Sequence, residues 1–169
     1  MLFRTHVLFA IAIFLIAVPF IEPIWGIPFL ILISIGSKIP DIDTPNSNIG
    51  KKIRPISNLI NVIFKHRGFF HSLIFIIIVG IILFLTKIPQ PLTIALLLGY
   101  LSHLLLDLFS DKKHGIFWPF QIKFKGPIKT ASISESVLFV ALIIVSLILF
   151  IVRFPLLKTI VLETIKTIF

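Results

Sequence analysis

Cysteine is absent from this chain of 169 residues, and charge is scarce, with only 14% of residues Asp, Glu, Lys or Arg. The first absence excludes disulfides, thiolate metal ligands and cysteine nucleophiles. The second excludes an ordinary soluble domain, in which about a quarter of residues are charged. Acidic residues are fewest, seven against sixteen Lys and Arg, leaving a formal charge of +9. Internal repeats are lacking, and so is any stretch with room for a separate soluble module. What fills the chain is hydrophobic: 57% of residues are apolar, eighteen of them Phe, and the mean hydropathy is +1.12. Such a composition makes lipid the main solvent and predicts an all-α, polytopic membrane bundle forming a single membrane domain, 1–169.

A helix crossing the roughly 30 Å hydrocarbon core needs about 20 residues. Five candidate spans meet or approach that length: His6 to Ile21, Pro23 to Ile39, His71 to Leu85, Pro91 to Phe109 and Ser136 to Val152. The first two are short and joined by a tight turn at Glu22-Pro23. The first also resembles a signal peptide, but Val18-Pro-Phe-Ile-Glu22 offers no small-residue cleavage site, so it reads as a retained span. Two long loops remain, 37–70 and 110–135, with a short interfacial helix expected at Ile53 to Phe64. The tail 154–169 alternates apolar residues with Lys158, Glu163 and Lys166, as an amphipathic surface helix does.

Orientation follows from the basic residues. With Arg4, the two long loops hold twelve of the sixteen Lys and Arg, and the other side holds Lys87, Arg153, Lys158 and Lys166. The positive-inside rule places the amino terminus and both long loops in the cytoplasm of a cell membrane. The same rule accounts for the net charge without nucleic acid. The basic loops also lack the interleaved aromatic residues that stack on bases, so no nucleic-acid partner is expected.

Ionisable residues at span ends are costly and default to functional candidates. His6 opens the first span, Asp41 and Asp43 follow the second, His66 and His71 precede or open the third, and His103 and Asp107 lie near the end of the fourth. Every one of these ends is on the side assigned as cytoplasmic, although Lys and Arg alone set that assignment. His103 and Asp107, four apart, share one helix face, and a charge buried among leucines needs a partner. Asp41 and Asp43 flank one residue after Pro40, and Gly68 permits a bend that brings His66 and His71 together. Imidazole and carboxylate without thiolate suit Zn²⁺, with Mn²⁺ or Fe²⁺ as alternatives, better than Ca²⁺. Each residue alone has a plainer explanation. His103 with Asp107 can be a hydrogen-bonded helix tie, Asp41 and Asp43 can be turn residues, Arg67 can merely obey the charge rule, and His114 and Asp111 can be solvated. Ser72 and Ser102 read as capping or interface hydroxyls, and Trp118-Pro-Phe120 as an interfacial anchor.

The order of these motifs resembles the YdjM-like family of membrane-bound, predicted metal-dependent hydrolases. The resemblance rests on Thr5-His6, Gly36-Ser-Lys-Ile-Pro-Asp-Ile-Asp43, His66-Arg-Gly-Phe-Phe-His-Ser72, Gly99-Tyr-Leu-Ser-His103-Leu-Leu-Leu-Asp107 and Gly115-Ile-Phe-Trp-Pro-Phe120. It covers roughly residues 5 to 150. Phe70 and Ser110 stand where the family often has Thr, and neither position is a proposed ligand. The resemblance implies a hydrolase distantly similar to zinc-dependent phospholipase C and P1-type nucleases. The expected reaction is metal-assisted hydrolysis of a phosphoester in a phospholipid or lipid-linked phosphate, using one or two divalent ions. His71, His103, Asp107 and Asp41 are the expected ligands, and His6, Asp43 and His66 hold a second ion or support the first. Arg67 is expected to neutralise phosphate, and Asp41 or Asp43 to act as general base. The alternatives are an amide or ester hydrolase with the same centre, and a non-catalytic metal or proton transporter or scaffold.

Overall fold

The computed structural model describes residues 1–64, 68–112, 115–120 and 124–154. Among these residues the fold is all-helical: α1 (Phe3–Ala17), α2 (Gly26–Gly36), α3 (Arg54–Phe64), α4 (Leu73–Leu85), α5 (Gln90–Leu108) and α6 (Ile133–Arg153). An isolated bridge joins Ser110 to Ile128. The amphipathic tail expected at 154–169 falls, beyond Phe154, outside the described residues.

Among the described residues four helical segments are long and apolar enough to cross a membrane: Phe3–Phe20, Pro23–Asp43, Gln90–Leu108 and Ile133–Arg153. The first gains length over its sequence-based bounds because α1 already starts at Phe3, and the second because the 3₁₀ turn Ile39–Asp43 prolongs α2. The third expected span, His71 to Leu85, departs from its bounds. It is α4, which has 13 residues and a length of about 20 Å, short of the hydrocarbon thickness. Its brevity has a structural consequence. The turn after Leu85 joins α4 directly to α5, and about 20 Å along α5 from Gln90 the chain reaches His103. The Phe69–His71 turn that precedes α4 accordingly meets α5 at Tyr100 and His103, with the Tyr100 hydroxyl on the Phe70 carbonyl and the His71 and His103 ring centroids 5.5 Å apart.

Close backbone contact sets the register of α2 against α5. A Cβ on Gly99 would fall on the carbonyl of Ile33, and one on Gly36 would fall on the carbonyl of Leu96. Small residues allow this approach where lipid supplies no hydrophobic drive between helices. Around the crossing, Ala10, Phe14, Leu15, Phe29, Ile33 and Ala95 form the buried core. Outward-facing Ile144, Leu147, Ile148 and Ile151 on α6 are about half exposed, as lipid-facing residues are in a bundle stripped of its lipid. α3 has the expected amphipathic character, with Ile56, Leu59, Val62 and Ile63 exposed along one side, and Asn61 Nδ2 donates to the Asp43 carbonyl at 2.7 Å.

Candidate metal centre

Four chain segments bring ionisable side chains to one end of the bundle. α5 presents His103 and Asp107 from successive turns, α1 presents His6 from its first two turns, and the 3₁₀ turns Ile39–Asp43 and Phe69–His71 present Asp41, Asp43 and His71. His6, Asp43, His71, His103 and Asp107 are all buried. Asp41 is the exception, its side chain 25% exposed at the edge of the group. Ser72 caps α4, accepting from the Phe75 N–H. The Tyr100 hydroxyl donates to the Phe70 carbonyl, tying the His71 turn to α5.

The hydrogen bonds fix which ring nitrogens face inward. His103 Nδ1 lies 2.7 Å from the Ser37 carbonyl. A carbonyl only accepts, so Nδ1 carries the proton and the neutral ring leaves a lone pair on Nε2. That Nε2 is fully buried with no hydrogen-bond partner; its nearest carboxylate oxygens are Asp107 Oδ2 at 3.5 Å and Asp41 Oδ1 at 3.9 Å. His71 repeats the arrangement. Its Nδ1 meets Asp43 Oδ2 at 3.1 Å, and its Nε2 lies 3.9 Å from Asp107 Oδ2. An outer acceptor that fixes the tautomer of an inward-pointing imidazole is a recurrent feature of metal sites.

These separations fit a small cation. Bonds of about 2.0–2.1 Å in tetrahedral geometry put neighbouring ligand atoms roughly 3.3 Å apart. The 3.5 and 3.9 Å spacings exceed that by little. Two His/Asp groups have all their ligand atoms within 4.8 Å of one another, His6 with His103 and Asp107, and Asp41 with His71 and His103. His6 and His103 stack with ring centroids 3.8 Å apart and planes 10° from parallel. The in-plane lone pairs of two stacked rings run side by side and do not converge. His6 Nε2 instead faces the other oxygen of Asp107, Oδ1, at 3.4 Å, where the Met1 amine also lies, at 3.1 Å.

Glu135, in the first turn of α6, is buried beside this centre, whereas the sequence pointed to no Glu near it. Its Oε1 accepts from the Leu2 N–H at 2.5 Å and the Thr5 hydroxyl at 3.0 Å, and its Oε2 accepts from the Ala131 N–H at 2.6 Å. It thereby locks the start of α1, and with it His6, against α6. A charged residue in the first turn of an otherwise apolar span is the signal that could have marked it. Glu135→Ala strands three donors, and unfolding in detergent should show a loss on the order of 3 kcal/mol, with Glu135→Gln losing much less.

Other expected residues lie elsewhere. Asp111 turns away to Thr130, whose N–H and hydroxyl reach its Oδ1 at 3.1 and 3.3 Å. The backbone hydrogen bond from Thr130 holds its carboxyl below the usual range. Trp118 and Phe120 are exposed, in keeping with an interfacial anchor. His66, Arg67 and His114 lie outside the described residues.

A cavity of about 380 Å³ opens in front of the cluster, lined by His6, Asp41, His71 and Asp107 together with Asn46, Asn48, Lys112 and Thr130.

The sequence profile of the family described as YdjM inner membrane protein matches residues 1–166. The chain belongs to the YdjM family. Among its relatives are the uncharacterized protein YvsG of Bacillus subtilis, 34% identical over 67% of this chain and 72% of YvsG, and the inner membrane protein YdjM of Escherichia coli, 36% identical over 53% of this chain and 48% of the relative. The chain thus matches about half the length of the Escherichia coli protein. No solved structure matches it significantly. Family and helices together make this a multi-pass inner membrane protein, and the descriptions of these family members assign no reaction.

Proposed function

We propose that this YdjM-family member is a metal-dependent hydrolase acting on a phosphoester of a phospholipid or lipid-linked phosphate at the membrane surface. The observation that carries the reading is His103 Nε2, a buried lone pair without a partner, fixed by the Ser37 carbonyl and surrounded by Asp107, Asp41 and His71. Leaving such an atom unsatisfied is costly, and a divalent cation relieves the cost. Zn²⁺ fits the donor set best, with Mn²⁺ or Fe²⁺ next. His71, His103, Asp107 and Asp41 would hold it.

A divalent ion there supplies Lewis acidity and brings the pKa of its water toward neutrality. The chain's own groups do the rest. Asp43 and the Ser37 carbonyl orient the two imidazoles. His6 holds the outer oxygen of Asp107 and so limits rotation of that carboxylate. Asp41, the most exposed carboxylate of the cluster, lines the open cavity beside Asp107, and it is the residue placed to take a proton from an attacking water. A transporter needs a polar path across the membrane, and the core between this cluster and the far end is apolar.

Release of phosphate or diglyceride from a lipid panel should require added metal and vanish in Asp107→Asn. Metal-independent release, or release unchanged in that variant, would refute the reading.

The basic loops argue that the cluster faces the cytoplasm. Because the chain has no cysteine, Asn48→Cys gives a single thiol beside the cavity. An impermeant maleimide is expected to label it only after the cytoplasmic side is opened, and labelling of intact cells would reverse the orientation.

A further inference from the structure

We propose that the cavity in front of the cluster is a subsite for a compact phosphate-bearing polyol headgroup, with Lys112 as its anion-binding residue and Asn46 and Asn48 as its hydrogen-bonding wall. The proposal rests on the hydrolase reading above and adds to it the chemical class of the group recognised.

Three observations converge on it. The first is continuity: the same chamber of about 380 Å³ is lined by Asp41 and Asp107 and by Asn46, Asn48 and Lys112. That volume accommodates a phosphate with a glycerol-sized or small sugar-sized group and excludes a pair of acyl chains, which would stay in the bilayer.

The second is the way the two walls are built. Ser47 donates to the Asp41 carbonyl at 2.8 Å and accepts from the Gly50 N–H at 2.8 Å. One turn therefore fixes both the Asp41 backbone and the exposed amides of Asn46 and Asn48 on either side of Ser47. The stretch of chain before Lys112, which also lines the cavity, is fastened to 126–130. Asp111 N–H donates to the Ile128 carbonyl at 2.8 Å, Ile128 N–H to the Phe109 carbonyl at 2.9 Å and Gly126 N–H to the Ser110 carbonyl at 2.6 Å. Asp111, the neighbouring acid, is occupied by Thr130. The Met1 amine, which also lines the chamber, is taken by Asp107 Oδ1, so Lys112 is left as the uncommitted cationic group among the described lining residues.

The third is what the lining lacks. Among the described lining residues Phe3 is the only aromatic carbocycle, so no aromatic cage stands ready for a quaternary ammonium such as choline. Amides and an ammonium instead suit hydroxyls and a phosphate.

The test measures equilibrium binding of inorganic phosphate and of glycerol 3-phosphate to the purified full chain, with metal content determined on the same samples and binding repeated after chelation. Lys112→Ala should weaken both ligands at least tenfold without changing metal content, Lys112→Arg should retain most affinity, and Lys87→Ala at the other end should change nothing. Glycerol 3-phosphate should bind several-fold tighter than phosphate, and Asn46→Ala with Asn48→Ala should erase that margin. Competition by phosphatidylglycerol nanodiscs but not by phosphatidylcholine nanodiscs identifies a lipid headgroup as the source, whereas competition by neither identifies a soluble phosphate. Unchanged phosphate binding in Lys112→Ala, or no binding by the wild type, overturns the subsite. Absence of metal from the wild type would instead overturn the hydrolase reading, and the Lys112 comparison in chelated samples would still decide the subsite.

Discussion

His103→Ala is expected to abolish tight divalent-metal binding, whereas Asp43→Ala is expected to weaken it only ten- to a hundredfold. The difference comes from position. His103 points its bare Nε2 at the centre of the cluster, so its removal takes away a ligand. Asp43 touches His71 through Nδ1, at 3.1 Å, so its removal frees a ring that can still bind. Outer partners of metal-bound histidines typically contribute about one to two orders of magnitude in affinity or activity. Competition with a chromophoric chelator measures both variants on one scale. Equal losses in the two would mean that Asp43 is itself a ligand, and no loss in His103→Ala would remove the centre from α5. Hydrolysis should follow the same ranking.

The second large effect lies at the contact between α2 and α5. Gly99→Val must push the Ile33 carbonyl away, because even a Cβ at Gly99 lands on it. Ser37 N–H hydrogen-bonds to that same carbonyl at 3.0 Å, and the Ser37 carbonyl in turn holds His103. One substitution therefore separates two helices and releases the imidazole that carries the centre. Overpacking costs about 1–3 kcal/mol or more, and here the obstacle is backbone that cannot rotate aside. Gly99→Val should lower the unfolding temperature in detergent sharply and weaken metal binding along with it. Gly80→Ala is the control, since its Cβ would meet Leu97 Cδ1 at 3.4 Å, an ordinary contact, and it should leave both measurements nearly unchanged. A Gly99→Val protein as stable as the parent would show that α2 and α5 do not pack this tightly.

The helices, and the end of the bundle at which the ionisable residues meet, were readable from the chain because lipid imposes simple rules, although five spans were expected and four of the described helical segments are long enough to cross. Apolar runs mark helices, and ionisable residues within them stand out against leucine and isoleucine. His103 and Asp107 declared their shared face through a spacing of four, and the structure brings His6, Asp41, Asp43 and His71 to the same end. The roles within the group were less legible. Asp41 and Asp43 look alike in sequence, yet one 3₁₀ turn sends Asp41 to the cavity and Asp43 to the back of His71. Ser37 contributes through its main-chain carbonyl, which no side-chain pattern reports. Glu135 is 133 residues from the Leu2 N–H it accepts, and only the packing of α6 on α1 brings them together. The length of α4 misled in a different way. His71 reads as the first residue of a span, but it belongs to a separate turn, and the helix proper starts at Leu73. That shortening lets His71 meet Asp107 below the end of α5.

The central claim is that this cluster holds a divalent cation. The direct test is elemental analysis of wild-type protein extracted in mild detergent, purified without chelator and without a metal-affinity column. About one Zn²⁺, Mn²⁺ or Fe²⁺ per chain is expected, tetrahedral and free of sulfur ligands, and lost in His103→Ala. A metal content below about a tenth of an ion per chain, unchanged after incubation with those ions and desalting, would contradict the metal centre.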